Sequence, residues 1–420
     1  MDYGEIYMCI DLKSFFASAE CADRGLDPFT TNLVVADPAR GNGAICLAIT
    51  PAMKALGIRN RCRVFEIPPG VNYITALPRM RRYMEVSAEI YGVYLRYISP
   101  EDIHVYSIDE CFIYATPYLN MYGMHPKQFA QMLMDAVFRQ TDITATAGVG
   151  TNMFLAKIAL DITAKHVPDH IGWLDENSFK KRLWHHRPIT DFWNIGPGIA
   201  RRLEKYGVYD LCGVAAMDEQ ILYKEFGVNA RFLIDHAHGR EPCTIAEIHA
   251  YEPSGHSISN GQILFDDYNF DDALIVLKEM ADTLSLELVE KKLAAESVSL
   301  MVGYSKDCRL PTGGTKRMTV CTNSHRKLAE RLEQLYKETT HRNAPIRSLN
   351  IGFCGLTPEE NSGFDLFMDP AAEEKEKNMQ RAIIDIKQRF GKNSLIKAMS
   401  LQSRATGIRR NNMVGGHNGG

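Results

Sequence analysis

Three carboxylates stand where strands end. Asp11 follows the apolar run Ile6-Tyr7-Met8-Cys9-Ile10, and Asp109 and Glu110 sit between two strand-like runs, HVYSI and CFIYA. Successive side chains of a regular strand point to opposite faces, so the adjacent pair needs a bend to converge. Three carboxylates at neighbouring strand ends are the hard-oxygen donor set that two Mg²⁺ ions about 4 Å apart require, and the chemistry they serve is phosphoryl or nucleotidyl transfer. The same residues have a plainer reading. An Asp after a strand often caps a helix, and Asp-Glu in a hairpin often makes only a polar turn. Spacing alone leaves both open.

Two further patterns suit anions. Lys157 lies on a helix expected from Asn152 to about Lys165, which follows a turn at Gly148 and Gly150. The run Asn194-Ile195-Gly196-Pro197-Gly198-Ile199-Ala200 reads as a helix-hairpin-helix. Its Gly196 and Gly198 permit a tight turn whose N–H groups can hold a DNA phosphate, and Arg201 and Arg202 follow. A plain Gly-Pro turn between helices is the blander alternative.

The elements that must position these residues alternate. Strand patterns at 6–10, 33–36, 104–108, 111–115 and 143–150 are interleaved with helical ones at 14–22, 79–98 and 126–141, which predicts an α/β or α+β sheet domain. Residues 170–240 read as helical and more polar, and Pro242 to Gly255 as a linker. From Ser257 to about Gly355, two long helical patterns lie among strands, as in a second α+β domain. The remainder is charged and partly helical, with a Gly- and Asn-rich end from Arg404 to Gly420 expected to be disordered.

The chain has 420 residues, 45% of them hydrophobic and 24% charged, which fits a multidomain globular protein. No apolar run reaches the roughly 18 residues of a membrane span, and the N-terminus has no apolar signal region. Its ten cysteines show no Cys-x-x-Cys spacing, so a zinc site is not expected, and buried thiols in a reducing cytoplasm are. The net charge is −3, yet residues 300–350 hold ten basic and four acidic residues, a net of +6. A local basic face is what binding a DNA backbone requires.

The words around the carboxylates resemble a known family. Asp11-Leu12-Lys13-Ser14-Phe15-Phe16-Ala17-Ser18-Ala19-Glu20 resembles the D-x-D-x-F-F-A-x-V-E opening of Y-family translesion DNA polymerases, and Ser107-Ile108-Asp109-Glu110 resembles their S-I-D-E motif. Ala147 to Asn152 and Leu155 to Ala159 resemble their G-I-x-x-N-K-x-L-A-K-I-A segment. The order and gaps are family-like over residues 5–355, and Ala48 to Gly57 looks most similar to the UmuC-like bacterial branch.

The resemblance implies an α+β right hand. The palm would be 1–35 and 78–168, the fingers 36–77, and the thumb 169–240. A linker at 241–255 would lead to a C-terminal little finger at 256–355, followed by a tail at 356–420. It implies a DNA-directed DNA polymerase of low fidelity that copies past damaged bases in DNA repair and the SOS response. Asp11, Asp109, Glu110 and the backbone carbonyl of Leu12 would hold two Mg²⁺ ions. Lys13 stands where the family has an acid, at a position that is not a metal ligand. Phe16 would be the gate that excludes a 2′-hydroxyl, beside Phe15, whose ring also suits the helix core. Thr50, Lys54 and Lys157 would meet the triphosphate of the dNTP, although the family's fingers tyrosine has no equivalent. Gly363-Phe364-Asp365-Leu366-Phe367 resembles the peptide that bacterial polymerases insert into the sliding clamp, with Asp365, Leu366 and Phe367 matching and glycine in place of glutamine. Primer-template DNA and dNTP are the expected substrates, the cytoplasm is the expected location, and no membrane is involved. A non-catalytic DNA-binding recruitment factor on the same fold, or another palm enzyme such as a nucleotide cyclase, is the alternative.

Overall fold

The computed structural model describes residues 4–253, 257–305, 308–361 and 369–420. Tertiary contacts divide the chain into two units, Met1–Glu252 and Pro253–Gly420. The strands of the first are β1 (Tyr7–Leu12), β2 (Leu33–Val35), β3 (Ala48–Ile49), β4 (Ile74–Ala76), β5 (Ile103–Val105), β6 (Glu110–Tyr114), β7 (Ala145–Gly150) and β8 (Ile171–Leu174). One sheet runs in the order β5-β6-β1-β7-β8, and a small one in the order β3-β2-β4.

β1 is apolar on both faces, so it takes the centre of the sheet. Ile6, Met8 and Ile10 pack with Tyr83 and Ile90 of the helix Met80–Tyr94 and with Phe129 and Leu133 of the helix Pro126–Thr141. Tyr7 and Cys9 face the other way, against Phe112, Met153 and Ala156. That second layer sits unusually low on the sheet. A Cβ at Gly148 would lie 2.0 Å from the Ala156 carbonyl oxygen, and one at Gly150 would lie 2.4 Å from the Ala156 nitrogen. The missing side chains let the helix Met153–Ile158 and the π-turn Ala159–Thr163 rest directly on β7.

Two expectations are corrected here. The region after residue 169 is not wholly helical: Ile171, Gly172 and Leu174 are buried, and β8 adds to the sheet in parallel with β7. The helices that follow pack around Phe179, Phe192, Leu203 and Leu211. The expected linker also folds for much of its length. Thr244 caps a helix at Ile245–Ala250, and Ile245 and Ile248, three residues apart, pack against the group that includes Tyr7, Cys9 and Phe112.

The second unit is an antiparallel sheet of β9 (Ser257–Tyr268), β10 (Leu293–Tyr304), β11 (Thr312–Thr322) and β12 (Ile346–Pro358), in the order β11-β10-β12-β9. Helices Phe270–Glu290 and His325–Thr339 cover one face, where Val276, Leu284, Leu328 and Leu332 join Val298, Leu300, Ile351 and Phe353 in the core. The alternate positions are mostly small or polar, with exposed Met301 and Ile263 among them. Ser299, Gly352 and Ser259 stand in register across three strands, and so do Met301, Asn350 and Gly261. The helix expected after the second domain is present at Pro370–Phe390, whereas the Gly- and Asn-rich end expected to be disordered is folded, with a short helix at Gly407–Asn411 and a hairpin of β13 (Met413–Val414) and β14 (His417–Asn418).

All ten cysteines are free, and five of them are buried. Among the described residues no helix is long and apolar enough to cross a membrane.

Gly148→Ala is expected to destabilise the first unit by about 3 kcal/mol, since the new methyl meets backbone rather than a movable side chain. Gly43→Ala, where a Cβ meets nothing within 4 Å, is expected to stay within about 0.5 kcal/mol of the parent. Urea unfolding of both variants checks this, and equal midpoints would show that the helix can lift.

Candidate active site

The β1–β6 register pairs Asp11 with Glu110. Paired residues on antiparallel strands share a face, so both carboxylates leave the sheet on the same side. Asp109 lies in the turn before β6. There the Ser107 hydroxyl donates to Asp109 Oδ1 at 2.7 Å and accepts from the Glu110 N–H at 3.1 Å. The Leu12 N–H binds the Asp109 carbonyl at 2.9 Å, which ties the end of β1 to that turn. The bend required by the adjacent acids is therefore built by Ser107.

Burial and mutual repulsion act on these acids together. The Asp11 carboxyl is pushed up to about 8, first by burial, then by Glu110 and Asp109, with Lys157 opposing. Burial also raises Glu110, again against the pull of Lys157. Asp161, on the π-turn, adds to the repulsion on both.

Lys157, an expected triphosphate contact, is paired with the acids here. It is buried, and its Nζ lies 2.6 Å from Glu110 Oε1 and 3.0 Å from Asp161 Oδ1. Burial opposes its charge, but the neighbouring acids outweigh that and hold it protonated. It is the fixed counter-ion of the carboxylates. Among the described residues no three His, Cys, Asp or Glu side chains are grouped closely enough to hold a metal ion. Glu110 is turned to Lys157, and Asp109 to Ser107.

Beside the acids lies a second crowd, of cations. Lys54 is lowered first by burial and then by Lys13 and Lys165, while Asp11 raises it. Burial lowers Lys13 as well, and its Nζ lies 5.3 Å from the Phe29 ring centre. Lys165, exposed at the end of the π-turn segment, was not singled out from sequence. The signal was available in its place at the end of the helix that carries Lys157. Asp161, four residues after Lys157, was also missed.

The other expected nucleotide contacts divide. Phe16 is half-buried, and its ring stacks on Tyr83 at 4.5 Å and 15°. The Tyr83 hydroxyl donates to buried Glu20 at 2.8 Å, and Glu20 also takes Arg24 and Arg79. Phe15 is in the core at 2% exposure, as its helix position allowed, so its ring does not face a ligand. Thr50 is fully buried, and its hydroxyl accepts from the Leu33 N–H, so it is committed to joining the fingers-like strands.

The helix-hairpin-helix residues form an exposed turn. Gly196 precedes the helix Pro197–Glu204, and a Cβ at Gly196 or Gly198 would meet nothing within 4 Å. Arg201 is exposed. Arg202 instead donates to the Glu225 carbonyl at 2.7 Å and lies over Phe226, so it braces the end of the helix Glu219–Phe226. Asp365, Leu366 and Phe367 lie outside the described residues.

Comparison with known proteins gives concordant matches. Residues 10–161 match the family model described as the impB/mucB/samB family, and residues 256–366 match that of its C-terminal domain. The chain is 28% identical over 430 residues to the putative UV-damage repair protein UvrX of Bacillus subtilis (strain 168), covering 99% of each. It is 28% identical over 423 residues to DNA polymerase IV 2 of the same organism, covering 98% of each. It is 31% identical over 180 residues to the DNA repair protein homolog YobH, also of that organism, covering 82% of that protein and 42% of this chain. Its fold is similar to that of the solved Y-family DNA polymerase chimera Dbh-Dpo4(243-245)-Dbh, with a TM-score of 0.62 at 18% identity over 84% of this chain and 99% of that one.

The raised Asp11 carries a pH dependence. An acid whose folded pKa exceeds its unfolded value stabilises the fold at low pH and loses that contribution as pH rises through the folded value. In metal-free buffer, stability is therefore expected to fall between about pH 4 and pH 8. Asp11→Asn is expected to flatten that slope and to melt higher than the parent at pH 8. A melting series from pH 5 to 9 in EDTA checks this, and a variant that melts lower at pH 8 contradicts the crowding.

Proposed function

The chain belongs to the impB/mucB/samB family and has the fold of a Y-family polymerase, and from that premise we propose that it is a DNA-directed DNA polymerase of low fidelity that carries synthesis past damaged bases. The observation that carries this reading is the pairing of two like-charge crowds. Acids at Asp11, Asp109 and Glu110 lie beside lysines at Lys13, Lys54 and Lys165. Lys157 offsets only part of the acidic crowd, and Asp11 offsets only part of the crowding on Lys54. A dNTP triphosphate with its divalent cations supplies the missing charge to both.

The donor set fits such cations, because its oxygens are hard and anionic and burial with the neighbouring acids raises Asp11. Asp11, Asp109, Glu110 and the Leu12 carbonyl are the proposed holders of two Mg²⁺ ions. When bound, divalent cations neutralise charge on the phosphates and acidify the primer hydroxyl. The remaining work falls to the chain. Lys13, Lys54 and Lys165 receive the triphosphate oxygens. Lys157 pairs with Glu110 and orients it. Phe16, held by its stack on Tyr83, closes the sugar side. The reaction joins the primer 3′-oxygen to the α-phosphorus and releases pyrophosphate, a step dominated by positioning and charge. The exposed turn at Gly196 and Gly198, with Arg201, is proposed to hold a backbone phosphate of the primer-template DNA. A role in the SOS response, and sliding-clamp contact through Asp365, Leu366 and Phe367, belong to the same proposal on sequence grounds.

Asp109→Asn is expected to lower primer extension about a thousandfold, roughly 4 kcal/mol of barrier, on undamaged and abasic-site templates alike. Near-parental extension by that variant would remove Asp109 from the site. Phe16→Ala is expected to raise ribonucleotide insertion relative to deoxyribonucleotide insertion by roughly tenfold or more, about 1.4 kcal/mol. Single-nucleotide kinetics with each sugar measure it, and unchanged discrimination would assign the gate elsewhere.

A further inference from the structure

The C-terminal family match ends at residue 366, and the fold continues beyond it. The helix Pro370–Phe390 balances five acidic residues with five basic ones from Asp369 onward. Residues 391–420 do not: they contain Lys392, Lys397, Arg404, Arg409 and Arg410, and no acid.

This basic segment is pinned to the second unit. Buried Glu279 accepts the N–H groups of Thr406 and Gly407 through Oε2, at 2.8 and 3.0 Å. Gln262 donates to the Thr406 hydroxyl at 2.9 Å. Arg410 donates to Gln262 Oε1 at 2.7 Å, to Asn260 Oδ1 at 3.1 Å and to the Gly261 carbonyl at 3.3 Å. Asn260, Gly261 and Gln262 belong to β9, the edge strand of the sheet. The segment therefore lies along that edge and meets backbone that β12 does not pair.

Its placement gives the sheet a charged margin. The face of small polar residues at Ser259, Ser299 and Gly352 begins at β9. Within the basic stretch at 300–350, Lys316 is paired to Glu338, Lys337 to Glu333, Lys327 to Glu373 and Arg347 to Asp267. In 391–420 some cations are anchors: Arg410 as above, Lys397 on Asp282, and Arg404 on Asp272. Two are not. Arg409 is exposed over the Phe265 ring at 3.6 Å, and Lys392 is exposed. Neither forms an ion pair among the described residues.

We propose that residues 391–420 form a folded basic cap on the edge of the second unit, and that Arg409 and Lys392 bind the phosphate backbone of the duplex DNA on which the polymerase works. The occupant follows from charge complementarity, since residues 391–420 carry five cations and no acid. The proposal rests on the polymerase reading above. It adds a contact that carries no sequence information and that serves retention on the template rather than chemistry.

The test uses the full chain, a fluorescent primer-template duplex and anisotropy titrations from about 50 to 300 mM KCl. Lys392→Gln with Arg409→Gln is expected to weaken binding several-fold at low salt. It should lower the slope of log K against log salt by about one to two, because each phosphate contact contributes roughly 0.9. Single-nucleotide insertion at saturating DNA should be unchanged. Lys375→Gln with Arg389→Gln, two exposed bases on the balanced helix, should leave the slope as it was. An unchanged slope in the first pair, or an equal fall in both pairs, overturns the cap. DNA binding by the parent with no loss in the variant defeats this proposal alone, whereas no DNA binding by the parent defeats the polymerase reading with it.

Discussion

The first unit turns on one buried ion pair, Lys157 with Glu110. A buried pair is not by itself a source of stability, since both charges leave water, but removing one partner leaves the other uncompensated. Here the pair solves a local problem. Asp11, Asp109 and Glu110 occupy adjoining strand ends, and without a fixed cation their repulsion would disorder the turn. The cation arrives from 47 residues away. It arrives because Gly148 and Gly150 have no side chains, so the helix bearing it can lie on β7 within reach of β6. A strand glycine, a low helix and a neutralised glutamate form one chain of cause.

That arrangement is deliberately incomplete in charge. Lys157 calms Glu110 and leaves Asp11 high, while Lys13, Lys54 and Lys165 repel one another close by. Such a surface is poor at holding itself together and good at holding a ligand with both signs of charge. The aromatic side is the opposite case. Phe16, Tyr83 and Glu20, with Arg24 and Arg79, form a closed network in which each polar group is satisfied, so Phe16 is rigid. Charge is left open on the side of the acids and lysines, and geometry is closed on the aromatic side.

The second unit divides its labour by strand alternation. One face of the sheet is apolar and sealed by two helices, and the other is mostly small or polar. Edge strands with free backbone groups invite unwanted pairing. The C-terminal segment covers part of the β9 edge through Arg410, and Glu279 provides its anchor. A run rich in glycine and asparagine folds here because a buried carboxylate needs its N–H groups.

The sequence by itself determined what is local. The apolar run ending at Asp11, the turn at Asp109 and Glu110, the helices at 80–94 and 126–141 and the glycine turn at 196–198 depend on residues a few positions apart, and strand and helix periods write them plainly. The family words placed them in one fold. Tertiary structure decided which side chains remain available. It withdrew Lys157 into an ion pair, Thr50 into a strand contact and Arg202 into a helix brace, and it brought forward Lys165 and Asp161. It also turned a presumed linker and a presumed loose tail into packed elements, through Ile245 and Glu279. The physical reason is common to all of these. Burial and pairing are set by partners dozens of residues away in the chain, and no local pattern encodes which distant surface a given polar side chain will meet.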